Sequence, residues 1–335
     1  MILGTNMIRL PRKILLLAWG KRLAGVAVAA LLLVGMESIC PAAEPPSFSG
    51  QQAFAHLAAI CKLGPRPSGS PAMEKQRAML VEYFRAAGGT VTGQAFQIRQ
   101  RHSGAVVRME NLIIEWHPER RDRVLIGAHY DTRPFPDRDS VDPKGMFIGA
   151  NDGASGVALL MELAPAMPAI KGEVGVDFVL FDGEEYVFAP RDPYCLGSTF
   201  FARQYSDKQQ SAAKASAGRP SQRYRCGVIV DMVADSNLEI WQEQHSVSWP
   251  DTLPVVEAIW GVAARMKVQQ FVARPKHTIQ DDHVPLRMIA RIPTCDIIDF
   301  DYPHWHTSDD TPAHCSAESL EAVGRVLLQW LREQP

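Results

Sequence analysis

The stretch VDFVLFDGEEYVF, residues 176–188, decides the fold of this chain. Its first six residues are mostly β-branched, aromatic or aliphatic, which is typical of a buried strand. The run ends abruptly in Asp182-Gly183-Glu184-Glu185, so two adjacent carboxylates lie at the edge of the predicted core. Neighbouring carboxylates raise each other's pKa unless a cation compensates. The stretch therefore predicts a positively charged group beside the two glutamates.

Strand-length apolar runs and helical patterns alternate along the rest of the chain. The runs occupy residues 106–116, 123–128, 174–181, 227–233 and 294–300. Apolar residues recur at helical spacing in residues 154–167, 253–266 and 316–333. Strands alternating with helices indicate one α/β domain, with a largely parallel sheet covered on both faces. The low-complexity segment 208–223 is expected to be a surface loop.

Acidic residues and histidines follow the predicted strands or begin the predicted helices. They are His129, Asp152, Glu184, Glu185, Asp231 and His306. Each of them alone has a structural explanation, such as a helix cap for Asp152. Ligands of parallel sheets bind beyond the carboxyl ends of the strands, so these side chains are expected to meet at one edge. Together they form a nitrogen and oxygen ligand set suited to zinc.

The two adjacent glutamates are expected to do different work. Consecutive residues that leave a strand point in opposite directions, so one carboxylate faces the metal while its neighbour faces the substrate. We assign Glu185 to the metal and Glu184 to proton transfer. Asp131, two residues after His129, either orients a ring nitrogen of that histidine or is a simple turn residue.

The first 43 residues have the order of a secretory signal. Basic residues precede a short apolar run, residues 23–36, and small residues follow it. The run is shorter than the roughly 20 apolar residues of a membrane span, so we expect cleavage near Ala42 or Ala43. An uncleaved membrane anchor is the alternative. We therefore predict an exported protein, periplasmic or secreted, with a catalytic domain over residues 44–335 and no stable membrane span after cleavage.

Charge and cysteine content narrow the function classes. Five of the 35 basic and one of the 37 acidic residues lie in the signal, so the remaining chain carries a net charge of −6. It has no basic cluster, which argues against a nucleic-acid partner. Its five cysteines lack C-x-x-C spacing, and an odd number leaves at least one thiol unpaired. They are Cys61, Cys195, Cys226, Cys295 and Cys315.

Five short motifs in a fixed order carry a resemblance to a known family. HYD, NDG-ASG, DGEE, D-M and WHT follow one another from about Gly64 to the C-terminal helix, over nearly the whole predicted mature chain. In this order they resemble the zinc aminopeptidase and glutaminyl cyclase superfamily. The resemblance implies a single three-layer α/β/α domain with a mixed, mostly parallel sheet, the zinc exopeptidase fold. It also implies Asp152, Glu185 and His306 as metal ligands, and His129 and Asp231 as the residues that complete a second metal site in the peptidase branch.

Three local features favour the cyclase branch. FDGEE has an aspartate before its glycine, IQDDHVPL at 279–286 is similar to a cyclase segment, and Trp305 precedes His306. The resemblance implies that Asp281 hydrogen-bonds the catalytic Glu184, and that Trp305 and Gln280 contact the substrate. NDGASG is equally common in the peptidases, and the cysteine pair of animal cyclases is missing, since Ala128 precedes His129.

Three functions remain open on the sequence. The leading hypothesis is cyclisation of an N-terminal glutamine of peptides or proteins to pyroglutamate, with release of ammonia and one zinc ion. The alternative is an aminopeptidase that uses the same groups with one or two metal ions to hydrolyse the first peptide bond. A metal-free binding domain on the same scaffold is the third possibility.

Overall fold

A six-stranded mixed sheet forms the centre of the computed structural model, which describes residues 47–214 and 222–334. Its strands are β1 (Thr90–Arg99), β2 (Val106–Trp116), β3 (Asp122–His129), β4 (Gly175–Phe181), β5 (Arg223–Asp231) and β8 (Thr294–Ile298). The order is β1-β2-β4-β3-β5-β8, with β1 and β2 antiparallel to their neighbours and the other four strands parallel. Strands β6 (Ile240–Gln242) and β7 (Phe271–Pro275) form a separate parallel pair. The predicted mixed, mostly parallel sheet is confirmed.

Helices cover both faces of this sheet. They are α1 (Gly50–Cys61), α2 (Pro71–Ala86), α3 (Ala154–Leu163), α4 (Leu196–Lys214), α5 (Gln244–Ser248), α6 (Leu253–Met266), α7 (His283–Met288) and α8 (Ala317–Arg332). Successive side chains of β3 show the two layers, because alternate residues of a strand face opposite sides. Val124 and Ile126 belong to the large core that includes α1, α3 and α8, while Leu125 packs in a second core with Phe201 of α4 and Leu286 of α7. This is the predicted three-layer α/β/α arrangement.

Several predicted elements differ in extent from the structure. The strand predicted over 227–233 spans Arg223–Asp231, and the strand predicted over 294–300 ends at Ile298. The helix predicted over 154–167 ends at Leu163 and continues as a 3₁₀ turn over Ala164–Ala169, because Pro165 and Pro168 lack the N–H that an α-helix needs. The prediction of a surface loop over 208–223 was partly wrong. Helix α4 extends into this segment and ends at Lys214. The segment begins with lysine, glutamine and alanine residues, which have good helix propensity.

The predicted secretory signal, residues 1–43, lies outside the described residues. Within the ranges that the structure does describe, no helix combines the length and apolarity that a membrane span requires. All five cysteines of these ranges are buried and free.

Candidate active site

The parallel strands deliver the predicted side chains to one edge of the sheet. Strand β3 ends at His129, β5 ends at Asp231, and the loop after β4 carries the two glutamates. Two groups of three side chains lie with one ligand atom each within 4.8 Å of the others, namely Asp152–Glu185–His306 and His129–Asp152–Asp231. Residues that are far apart in the sequence therefore converge as predicted.

The first group brings His306, Glu185 and Asp152 together in a buried position. Nε2 of His306 lies 2.7 Å from Oε1 of Glu185 and 3.6 Å from Oδ2 of Asp152. Oδ2 of Asp152 and Oε2 of Glu185 are buried without a hydrogen-bond partner. Burial raises the pKa of Asp152, whereas the positive charge of His306 and its hydrogen bond outweigh burial and lower the pKa of Glu185 to about 2. Unpartnered buried oxygens beside an imidazole are what a bound cation would satisfy.

The second group shares Asp152 with the first. Nε2 of His129 lies 3.3 Å from Oδ1 of Asp152 and 3.1 Å from Oδ1 of Asp231. The two oxygens of Asp152 therefore face different histidines. Burial would lower the pKa of His129, but the charges of Asp231 and its other carboxylate partners raise it well above the ordinary value.

Glu184 stands apart from its neighbour Glu185, in a third group with Cys195 and Asp281. The Cys195 thiol donates to Oε1 of Glu184 over 3.4 Å. Burial raises the pKa of Glu184, and it raises the pKa of Asp281 to about 6. One oxygen of Glu184 lies within 4.8 Å of one oxygen of Asp281. The hydrogen bond expected between them is not formed, because Oδ2 of Asp281 has no partner and Oδ1 accepts from the backbone N–H of Asp282.

Backbone hydrogen bonds hold the two glutamates in place. The carboxylate of Asp131 accepts the N–H groups of Glu184 and Glu185 over 3.1 and 3.2 Å, and it also lies 3.6 Å from Nδ1 of His129. The preceding turn passes through Gly183 at φ +78°, where an added Cβ would meet the sulfur of Met109 at 2.8 Å. Asp131 is therefore a support of the glutamates as well as a neighbour of the histidine.

A similar support fixes Asp152. The carboxylate of Asp310 accepts the N–H groups of Asn151 and Asp152 and the hydroxyl of Tyr302. Gly153 follows at φ +96°, where a Cβ would lie 2.7 Å from the carbonyl oxygen of Asp131. The glycine of the NDG motif is thus required by a close backbone approach.

Sequence reasoning missed three residues that contact the predicted ones. Nη1 of Arg133 lies 3.3 Å from Oε1 of Glu185, which supplies a positive charge beside the glutamates. Asp137 accepts from Arg133 and lies 3.1 Å from Nδ1 of His306. Cys195 is the third. Arg133 lies only four residues after His129, but no spacing rule marks it, and Cys195 was considered only for disulfides and metal clusters.

A cavity of about 460 Å³ opens beside the first group of ligands. Its wall includes Trp305, His306 and Arg133. The guanidinium of Arg138 lies 4.0 Å from the centre of the Trp305 ring and fixes the indole by a cation–π contact. Trp305 therefore lines a cavity beside the ligand His306. Gln280 is exposed, and no contact in the described part of the chain brings its side chain to this cavity.

A second cavity adjoins the first. It has a volume of about 510 Å³ and is lined by the loop at Ser68–Ser70 and the start of β2. Phe135 and Phe188 line both cavities and stack edge to face, with ring centres 6.2 Å apart. Together the two cavities have room for an extended peptide that runs from the ligand groups towards the surface.

Comparisons with known proteins agree with this geometry. The model of peptidase family M28 matches residues 111–331. The crystal structure of a glutaminyl cyclase from Fimbriiglobus ruber is 38% identical, covers 86% of this chain and 96% of its own, and superposes with a TM-score of 0.79. A leucine aminopeptidase precursor from Bacteroides thetaiotaomicron is 27% identical with a TM-score of 0.77, over 87% of this chain and 99% of its own.

Curated relatives show the same similarity to glutaminyl cyclases at lower sequence identity. A glutaminyl-peptide cyclotransferase-like protein from Bos taurus is 23% identical over 67% of this chain and 60% of its own length. The chain thus spans less than two thirds of the length of this relative. The family model covers most of the chain and includes every predicted metal ligand. The chain therefore belongs to peptidase family M28, and within that family it resembles the glutaminyl cyclases.

Proposed function

We propose that this protein cyclises the N-terminal glutamine of peptides to pyroglutamate and releases ammonia, with one zinc ion held by Asp152, Glu185 and His306. The observation that carries the proposal is the separation of the two glutamates. Glu185 belongs to the ligand group, while Glu184 belongs to a buried group with Asp281. The likeness to bacterial glutaminyl cyclases supports the same reaction.

The residues present fit a zinc ion. One imidazole and two carboxylates form a nitrogen and oxygen donor set of the kind zinc prefers. The unpartnered oxygens of Asp152 and Glu185 would be satisfied by such an ion. Bound zinc would act as a Lewis acid that polarises the γ-amide of the substrate.

The remaining chemistry falls to Glu184 and its surroundings. The substrate α-amine attacks the γ-carbonyl carbon, and the bond from that carbon to the amide nitrogen breaks. Glu184 accepts the proton that the amine loses and returns it to the departing nitrogen, which leaves as ammonia. Burial raises the pKa of Glu184, which suits a carboxylate for proton transfer near neutral pH. Asp131 holds the backbone of Glu184, and Trp305 lines the cavity where the substrate side chain would lie.

One observation favours a second candidate, an aminopeptidase with two metal ions. Nε2 of His129 lies 3.1 Å from Oδ1 of Asp231, and these two residues share Asp152 with the first group. Together with Asp152 these residues would hold a second ion, and paired ions activate water for hydrolysis.

One experiment separates the two reactions. The purified protein is incubated with a glutaminyl peptide and with an aminoacyl anilide, while zinc per chain is measured by elemental analysis. Ammonia release without anilide cleavage, at one zinc per chain, supports the cyclase. Anilide cleavage without ammonia would overturn it in favour of the aminopeptidase. A chain without zinc and without either activity would support a binding domain instead.

We further propose that the protein is exported to the periplasm or secreted, after removal of residues 1–43. The proposal is supported by the order of basic, apolar and small residues in that segment. Fractionation and N-terminal sequencing of the mature chain test it. A full-length chain in the membrane fraction would indicate the uncleaved anchor.

A further inference from the structure

We propose that Glu184, Cys195 and Asp281 form a second metal site, for a soft divalent cation such as cadmium or excess zinc, and that its occupation inhibits the enzyme. The inhibition rests on the proposed function, because it requires Glu184 to be the proton carrier. The binding does not. The site is distinct from the ligand groups at Asp152, since it shares none of their side chains.

The distances within this group suit one ion. Each of the three residues offers one atom, and these atoms all lie within 4.8 Å of one another. Sγ of Cys195 lies 3.4 Å from Oε1 of Glu184. Two ligands of a tetrahedral ion with metal–sulfur and metal–oxygen bonds of about 2.3 and 2.1 Å are separated by about 3.6 Å. The thiol and the glutamate therefore need almost no movement to share an ion.

Asp281 brings an unsatisfied oxygen to this group, and the same residue also lies in a neighbouring group with His283 and Asp296. The residue is only 4% exposed, and its Oδ2 has no hydrogen-bond partner. Buried carboxylate oxygens are almost always satisfied in native proteins. The adjacent Asp282 is also buried, and its Oδ2 is likewise without a partner. At this end of the site, two buried carboxylates thus each keep one oxygen that no hydrogen bond satisfies.

The backbone presents the thiol to Glu184 in a fixed orientation. Cys195 is 2% exposed and has φ +56°, a left-handed conformation that a cysteine adopts only when its surroundings enforce it. Its N–H donates to the carbonyl oxygen of Glu184 over 3.0 Å. The sulfur is therefore held beside the carboxylate, in the place that a thiolate ligand would occupy.

The sulfur determines which ions the site selects. Thiolate is a soft ligand that favours zinc and heavier soft ions over magnesium or calcium. Binding requires the thiol to lose its proton, which is released to solvent. Burial raises the pKa of the Cys195 thiol, so this release is costly and the site fills only when the free metal is in excess. An ion bound there occupies Glu184 and leaves the zinc at Asp152 in place.

The test adds cadmium to the zinc-loaded full-length protein and to a Cys195→Ser variant. Three quantities are measured: bound cadmium and zinc per chain, the ultraviolet charge-transfer absorption of a cadmium–thiolate bond, and cyclase turnover. The wild type is expected to bind one cadmium with that absorption, keep its zinc and lose turnover. Cys195→Ser should lose the absorption and bind cadmium at least about tenfold more weakly. Cys226→Ser, another buried cysteine on β5, is the matched control and should behave as wild type.

Two results would overturn the proposal. One is equal cadmium affinity in the wild type and Cys195→Ser, and the other is loss of the absorption in Cys226→Ser instead. Displacement of zinc by cadmium without thiolate absorption counts against it in the same way. A Cys195→Ala variant repeats the comparison if the serine variant folds poorly. If the protein shows no cyclase turnover, the proposed function fails, while the binding and absorption measurements still decide the metal site.

Discussion

The two ends of the central sheet both bury charge, but they treat it differently. At the amino end, the guanidinium of Arg123 pairs with the carboxylate of Asp177, and both side chains are at most 2% exposed. Arg123 also donates to the carbonyl oxygens of Trp116 and His117, and Tyr224 donates to Asp177 over 2.6 Å. At the carboxyl end, by contrast, buried oxygens of Asp152, Glu185 and Asp281 have no partner.

This difference separates a structural charge from a functional one. A buried ion pair whose donors and acceptors are all satisfied has nothing left to offer a ligand, and its removal affects folding. Buried charges that are left unsatisfied are unfavourable unless a ligand completes them. The same fold therefore keeps its stabilising charges at one end and its chemistry at the other.

The largest expected effect is at the two glutamates. Glu184→Gln should keep its zinc and lose about 10²- to 10⁴-fold in turnover, because the amide cannot carry the proton. Glu185→Gln should lose zinc and activity together. Elemental analysis and ammonia release measure both variants. Normal zinc content in both would contradict the division of labour between these neighbours.

At the amino end of the sheet we expect an effect of similar size, but on the free energy of unfolding and not on turnover. Arg123→Met leaves the buried carboxylate of Asp177 unpaired and should lower the free energy of unfolding by about 3–5 kcal/mol. Zinc per folded chain should not change. Arg325→Gln is the control, because Arg325 pairs with Glu321 on the exposed face of α8, and its loss should cost less than about 1 kcal/mol. Denaturant titration gives both free energies of unfolding. Loss of zinc in Arg123→Met would contradict the proposed difference between the two ends of the sheet.

A smaller effect is expected at the support of the glutamates. Asp131→Asn removes one of the two oxygens that accept the N–H groups of Glu184 and Glu185. Residues that orient ligands in this way typically contribute about 10- to 100-fold to metal affinity or activity. We expect a loss in kcat/KM of this size, and a fall of about 1–3 kcal/mol in the free energy of unfolding because one buried N–H loses its acceptor. Steady-state kinetics and denaturant titration together check the prediction, and wild-type kinetics would show that the turn is rigid without Asp131.

The smallest effect is expected at the wall of the cavity. Arg138→Gln removes the cation from the face of Trp305, a contact worth about 0.5–1 kcal/mol at an exposed site. KM for a glutaminyl peptide should rise about two- to fivefold while kcat is nearly unchanged. Arg101→Gln, an exposed arginine that donates to the carbonyl of Arg191, is the control. A fall in kcat would place Arg138 in the chemistry instead of the wall.

Much of the fold was predictable because its strands and helices are strongly periodic. β2 and α6 have the bounds that the sequence predicts, and the residues after β3, β4 and β5 lie at the expected edge. Strand β1 was missed because it lies at the edge of the sheet, and its mostly exposed residues lack a continuous apolar run.

The site was predictable where a strand ends or, as at Asp152, where a helix begins. His129, Asp231 and the glutamates follow strands, so topology alone brings them together. Arg133, Asp137 and Cys195 come from loops or loop ends, whose paths depend on tertiary packing and leave no periodic signal. The role expected for Gln280 rests on resemblance alone and stays a prediction, and the residue is exposed.

The shared position of Asp152 limits how this active site can diverge. Its two oxygens serve both histidines, so a substitution there disturbs both groups at once. Substitutions at His129 or Asp231, which belong to the second group alone, disturb only that group. A descendant of this chain can therefore lose its second group of ligands through these two positions while Asp152 keeps the first group complete.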